Sequence, residues 1–402
     1  MNTRPQRLSA LFLEFLNSER SSGVLLLGAM GLSILAANSP ANSAVSAVLH
    51  QELGPAGLPG LRHSLLEWIN EGLMTLFFVL IGLEIEREVY SGELSNPRNA
   101  LLPFFAALGG MAIPALIHFS LNRGLPTQVG FGIPMATDIA FALGVLSLLG
   151  RRVPAAVKVF LAAIAIIDDI GAMIVIALAY SHGLQWLFLA LAGAMFALMG
   201  LLNFSGIHKM RYYIVPGLLL WYFTLLSGVH TSIAGVVFAF ALPYAGGGSA
   251  SPSDRLEHLL NKPVAWAIMP LFAFANSGVV FGAELVPLLA APNALGVFLG
   301  LLVGKPLGIV GFSWGAVKLG LASLPGEMRR RHLPGLGFLG GIGFTMSIFI
   351  TVLAFGDTPQ AGASKLAILA GSLLAGGLGY ALLRFSANPK KRWRLRQRPQ
   401  TS

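Results

Sequence analysis

LAAIAIIDDIGAMIVIALAY, Leu161 to Tyr180, decides the architecture. Eighteen of its twenty residues are apolar or small, and the other two are adjacent acids, Asp168 and Asp169. A run of this length and character spans a membrane as a helix. A carboxylate at mid-membrane costs about 3 kcal/mol even on lenient insertion scales, and intramembrane acids mark ion or proton pathways. Two in succession at the middle of a span point to a protein that moves a cation, or protons, through this pair.

The rest of the chain fits that reading. It has 402 residues, 55% hydrophobic and 11% charged, where soluble domains carry about 25% charged residues. It contains no cysteine, which excludes disulfides and thiolate metal sites. We read one polytopic, all-α membrane domain over 22–385, preceded by a tail at 1–21 and followed by a basic tail at 386–402. Twelve spans are expected: 22–37, 65–86, 99–119, 128–148, 155–180, 184–204, 211–228, 230–245, 262–283, 293–318, 333–355 and 363–385. The first twenty residues carry Arg4, Arg7 and Arg20 beside Leu8, Leu11, Phe12 and Phe15 at helical spacing, the pattern of an amphipathic surface helix. They do not read as a cleaved signal peptide. The loop 38–63 has turn signals at Gly54-Pro55 and Pro59-Gly60, consistent with a short hairpin.

Charge orients the spans. With the N-terminus inside, Arg87, Arg98, Arg151, Arg152, Lys209, Arg211, Arg255, Arg329 to Arg331 and the tail Lys390 to Arg398 fall on the cytoplasmic side. Arg62, Arg123 and Lys365 fall outside. This positive-inside asymmetry puts both termini in the cytoplasm. It also accounts for the net charge of +10 without nucleic acid, the basic tail being an anchor to anionic membrane lipids.

Two spans are interrupted. The fourth, VGFGIPMATDIAFALGVL (129–146), has Gly130, Gly132 and Pro134 just before Thr137 and Asp138. The eleventh, PGLGFLGGIGFTMSIFI (334–350), has Gly337, Gly340, Gly341 and Gly343 just before Thr345 and Ser347. They are the middle members of two three-span groups, 3–5 and 10–12. Unwound backbone at membrane depth must be satisfied inside the protein. Broken ends also carry partial charge, positive at N-termini and negative at C-termini. Asp138 is placed to meet N-terminal ends. Lys305, deep in span ten, is placed to meet C-terminal ends or an aspartate.

Seven stretches in order along the chain resemble the bacterial NhaA-type sodium/proton antiporters: FFVLIGLEIERE (77–88), PMATDIAFALGVLSLLG (134–150), AIIDDIGA (165–172), GVHTSIAGV (228–236), PLFAFANSGV (270–279), GKPLG (304–308) and GIGFTMSIFI (341–350). That family is itself a type case of the rule that paired interrupted spans signal inverted repeats around a midplane site. The resemblance implies twelve spans, inverted three-helix repeats and crossing of the two interrupted helices. It implies an electrogenic, pH-regulated antiporter of the bacterial inner membrane, acting as a homodimer. Such a protein exports one sodium or lithium ion for two protons and has no cofactor beyond the transported ions. By position, Asp168 and Asp169 match the pair that binds the ion and protons, with Thr137 and Asp138 beside them. Lys305 matches the lysine that pairs with Asp168. Glu84, Arg87, Glu88, His230, Glu257 and His258 match groups tied to the pH response. Glu71 stands where aspartate is expected, and Asn261 where a second histidine often follows His258.

The chemistry is coherent. Sodium and lithium are hard cations suited to oxygen ligands. Adjacent helical residues differ by about 100° around the axis, so Asp169 can face the ion while Asp168 reaches Lys305. Two adjacent carboxylates titrate as a coupled pair, and protons then compete with sodium for one site. Other classes fit less well. An intramembrane aspartyl protease needs its aspartates on separate helices. A prenyl-transferring enzyme needs a longer acidic motif. A passive cation channel has no use for broken helices, and a solute symporter needs a roomier polar site.

Overall fold

The computed structural model describes residues 10–386 apart from 56, 58, 59, 182 and 245–250. The basic tail at 386–402 therefore lies almost wholly outside the described residues. Nearly all of the described chain is helical. Among the described residues, six helices are long and apolar enough to cross a membrane, or nine if each bent pair is one span. In chain order we label α1 (Ala10–Ala37), α2 (Leu65–Tyr90), α3 (Pro97–Leu121), α4 (Pro126–Met135), α5 (Ile139–Leu148), α6 (Ala155–Ala179), α7 (Trp186–Phe204), α8 (Arg211–Ser227) and α9 (Ser232–Ala241). Then follow α10 (252–276), α11 (Pro292–Lys318), α12 (Arg330–Gly340), α13 (Phe344–Phe355) and α14 (Pro359–Ser386). Between α1 and α2, Glu52–Leu53 pairs antiparallel with His63–Ser64 in a small hairpin.

α1 runs unbroken from Ala10, so the second half of the N-terminal amphipathic segment continues into the first apolar run. α4 and α5 meet at a 42° bend, and α12 and α13 at a 45° bend. The breaks fall where the glycines and Pro134 foretell them. α4 is wound as a tight 3-10 helix, and residues 136–138 leave helical geometry altogether. Residues 341–343 interrupt the helix between α12 and α13 less sharply, Gly341 and Gly343 keeping right-handed backbone angles. The two unwound stretches meet: the Asp138 N–H donates to the Ile342 carbonyl at 2.7 Å. Each break thus satisfies backbone groups that the other would otherwise leave unpaired in the interior.

Small residues let the surrounding helices close on this junction. α3 and α11 touch backbone to backbone. A Cβ on Gly308 would lie 2.0 Å from the Gly109 carbonyl oxygen, so both positions demand glycine. Close approach of this kind is how helices associate where no hydrophobic force separates them from lipid. Three stretches are wound as π-helix: Trp68–Leu73 in α2, Val264–Ile268 in α10 and Gly300–Gly304 in α11. The last ends immediately before Lys305.

A buried carboxylate site at the helix break

α6 carries Asp168 and Asp169 into the junction of the two breaks, where they are 0% and 2% exposed. Lys305, also fully buried, reaches the same point from α11 and forms an ion pair with Asp168 Oδ2. Its Nζ donates a second hydrogen bond to Thr137 Oγ1 at 2.6 Å. Thr137 Oγ1 in turn lies 2.7 Å from Asp168 Oδ2 and 2.9 Å from the Gly340 carbonyl, with one proton to give. That carbonyl is at the C-terminal end of α12. Lys305 therefore meets both expected partners, the aspartate directly and the helix end through Thr137.

Asp138 is committed to N-terminal ends. It is the N-cap of α5, where Oδ1 accepts from the Phe141 N–H at 3.1 Å. Its Oδ2 accepts from the N–H and the hydroxyl of Thr345, in the first turn of α13. One carboxylate thus neutralises two helix starts. The N–H groups of Gly343 and Phe344 are met by the Ser372 hydroxyl of α14 at 3.1 and 3.3 Å.

Asp169 differs from both. Its Oδ1 and the Oδ1 of Asp168 are buried without a hydrogen-bond partner. Asp169 borders a narrow cavity of about 80 Å³, lined also by Glu84, Thr137, Asp138, Asn261 and Thr345. A carboxylate that borders a small cavity, beside hydroxyl groups and with no ion pair of its own, can take up a proton or a small hard cation.

The structure brings Asp168, Asp169, Thr137, Asp138 and Lys305 together. The remaining sequence candidates divide. Glu84 enters the same cavity. At the end of α2, Arg87 pairs with Glu257 of α10 and lies 3.6 Å from Glu88. Burial pushes the Glu257 carboxyl above its ordinary range, against the opposing pull of the Arg87 guanidinium, while His258 is a nearby charge. His230 is elsewhere, with its Nε2 3.3 Å from Glu71 Oε1. Glu71 precedes Arg87 by 16 residues on α2, about 24 Å along a helix. Thr345 and Ser372 are the residues that sequence reasoning left out. Thr345 is flagged only by its place after the glycine run. Ser372 is a lone hydroxyl in an apolar span and gives no signal until the helices are packed.

Fold and site define an integral membrane protein built around buried carboxylates where two broken helices meet. The sequence profile of the family described as Na+/H+ antiporter 1 matches residues 13–383. A relative from Dechloromonas aromatica (strain RCB), Na(+)/H(+) antiporter NhaA, is 51% identical over 383 residues, covering 94% of this chain and 97% of its own. Na(+)/H(+) antiporter NhaA 1 of Flavobacterium johnsoniae is 48% identical, with 96% and 99% covered. The Bordetella bronchiseptica Na(+)/H(+) antiporter NhaA is 46% identical, with 96% and 98% covered. The chain belongs to the Na+/H+ antiporter 1 family.

Proposed function

We infer that this protein exchanges sodium, and with it lithium, for protons across the bacterial inner membrane. The observation that carries the reading is the unequal pair on α6. Asp168 is neutralised by Lys305, whereas Asp169 has no ion pair and borders a cavity. An ion pair that is already balanced attracts no cation; a free carboxylate does. Protonation of the pair and binding of a cation exclude each other, which couples the two fluxes without a separate proton path. With sodium bound, the oxygens at hand are those of Asp169, Asp168 and Thr137. Two protons inward for one cation outward moves a net charge in, and Lys305 is the group whose release from Asp168 would supply the second proton.

The full reading has twelve spans in inverted repeats, α8 and α9 counting as short spans, with both termini cytoplasmic and lipid held by the basic tail. The cavity then opens from the cytoplasmic side, because Glu84 and Asn261 lie toward the Arg87–Glu257 end. Glu84, Arg87, Glu88, Glu257 and His258 form a charged mouth suited to a pH response, with His230 acting from the other end. Assembly as a homodimer completes the picture.

Sodium-induced alkalinisation of acid-loaded proteoliposomes tests it. We expect exchange in the wild-type protein and its loss in Asp169→Asn at equal incorporation. Near-normal exchange in that variant would remove Asp169 from the site. Sodium flux without proton flux would make the protein a channel.

A further inference from the structure

Of the acids in the last two turns of α2, Glu86 alone has no part in the exchange reading. It is 3% exposed, and its Oε2 accepts from the hydroxyl of Ser253 on α10. Among the described residues it forms no ion pair, and Arg87, its neighbour in sequence, is committed to Glu257 and Glu88. The charges that act on Glu86 are those of Asp254 and Glu257, both negative. A buried carboxylate without a counter-charge is costly, and a cation from outside the chain would remove that cost.

Glu86 lines a cleft of about 430 Å³ that three helix ends enclose. Tyr90 and Ser91 finish α2, Asn203 lies in the last turn of α7, and Phe240 and Leu242 finish α9. Helix C-termini carry partial negative charge within the last turn, so all three add to the field of Glu86. Glu86 and Leu242 are buried and form the floor, while Tyr90 and Phe240, 66% and 45% exposed, stand at the rim. The Tyr90 and Tyr244 rings stack at 5.3 Å and 21°, and the Tyr244 hydroxyl donates to Ser91 Oγ at 2.8 Å. Asn203 Nδ2 reaches the Ala241 and Leu242 carbonyls at 3.4 and 3.3 Å, which leaves its Oδ1 as an acceptor. Among the described residues no basic side chain lines the cleft, and it shares no lining residue with the Asp169 cavity.

These features select the guest. The field calls for a cation. A bare metal ion fits poorly, because no three His, Cys, Asp or Glu side chains converge among the described residues. The space is also many times the roughly 30 Å³ of one water, and falls within the about 300–1,000 Å³ of small-molecule sites. An ammonium group brings N–H donors for Glu86 Oε1, Asn203 Oδ1 and the Tyr244 oxygen. Its carbon body suits Phe240, Leu242 and the tyrosine rings, whose faces also attract the charge. A lipid headgroup that joins an amine to a phosphate is disfavoured, since no lining base would meet the phosphate. We propose that this cleft binds a small organic ammonium ion, a free aliphatic amine, with Glu86 as its counter-ion. It opens to the cytoplasm on the reading that places the C-terminal end of α2 inside.

Equilibrium dialysis of radiolabelled n-butylammonium against the purified full chain in sodium-free detergent solution tests this. We expect saturable binding of one amine per chain, weakened at least tenfold in Glu86→Gln and severalfold in Tyr244→Leu. The second variant changes a ring at the edge of the cleft and serves if Glu86→Gln does not fold. Unlabelled n-propylammonium should compete, whereas tetramethylammonium, which has no N–H to give, and phosphoethanolamine should compete poorly. Binding should persist in Asp169→Asn and in excess sodium. Absence of saturable binding, or binding indifferent to both cleft variants, would overturn the proposal. So would binding that Asp169→Asn or sodium abolishes, which would place the amine at the ion site, or a preference for phosphoethanolamine, which would make the guest a lipid headgroup. The chain has no cysteine, so Tyr90→Cys reports the side. A membrane-impermeant maleimide should label it in everted vesicles and not in right-side-out ones; the reverse would overturn the cytoplasmic placement. Dialysis requires no transport: amine binding in a protein that fails to exchange would fault the exchange reading alone, and exchange without amine binding would fault the cleft alone.

Discussion

Asp168 and Asp169 are chemically identical neighbours that their surroundings separate. The ion pair to Lys305 and the Thr137 hydroxyl occupy one; the cavity is left to the other. Truncating one partner of a buried ion pair leaves the other charge uncompensated and costs about 3–5 kcal/mol. Lys305→Gln should therefore lower the melting temperature in detergent as well as weaken charge movement, read as current on a supported membrane. Full current per sodium in that variant would detach Lys305 from the second proton. Thr345→Val keeps the volume but strips a hydroxyl from the buried Asp138 carboxylate, a loss of about 1–3 kcal/mol. A slower exchanger with a lower melting temperature is expected, and unchanged stability would show that the backbone N–H of Thr345 suffices for Asp138.

Helices impose the next constraints. α3 and α11 approach so closely at Gly109 and Gly308 that no side chain fits between them. Gly308→Ala should force the pair apart and destabilise the protein by about 1–3 kcal/mol, the usual range for overpacking. Thermal unfolding in detergent checks this, and a wild-type melting temperature would mean that the helices slide without cost. Near the C-terminal end of α2, α2 and α10 are joined by Arg87 and Glu257. The Glu257 carboxyl is held above its ordinary range, chiefly by burial, with Arg87, His258, Asp254 and Glu88 as the charges around it. The sign follows from that direction. The fold favours the neutral acid, so the cost of charging it in place is absent below the ordinary glutamate value and grows as pH rises through the raised one. On acidification Glu257 thus protonates before an exposed glutamate does, and its charge pairing with Arg87 is lost. Glu257→Gln imitates the protonated form. We expect its exchange-versus-pH curve to move to higher pH; an unmoved curve would exclude Glu257 from the pH response.

For the whole molecule the decisive quantity is charge moved per cycle. If two protons enter for each cation that leaves, one net charge moves inward, worth about 2.3 kcal/mol per 100 mV of inside-negative potential. A potassium diffusion potential set by valinomycin should therefore accelerate sodium export from oriented proteoliposomes. A rate indifferent to the potential would require one-for-one exchange. The interior tolerates Asp138, Asp168, Asp169 and Lys305 because each is met by a helix end, a hydroxyl, an opposite charge or the cavity.

Much of this was legible along the chain. Apolar runs of some twenty residues can only be membrane helices, because backbone groups in lipid must be satisfied within the segment. The acids and the lysine inside those runs stand out because their desolvation cost is high. Glycine and proline mark the breaks because they alone relax or forbid helical geometry cheaply. What the linear pattern lacks is distance. Asp138 and Thr345 are 207 residues apart and Lys305 and Asp168 are 137 apart, so their contacts exist only once the helices pack. Packing also sent His230 to Glu71 instead of to Arg87 and Glu257, enlisted Ser372, and brought Phe349 against Phe78 and Phe272. Local chemistry is written in residue type, whereas the division of labour between two adjacent aspartates depends on which neighbours the tertiary fold brings within hydrogen-bonding reach.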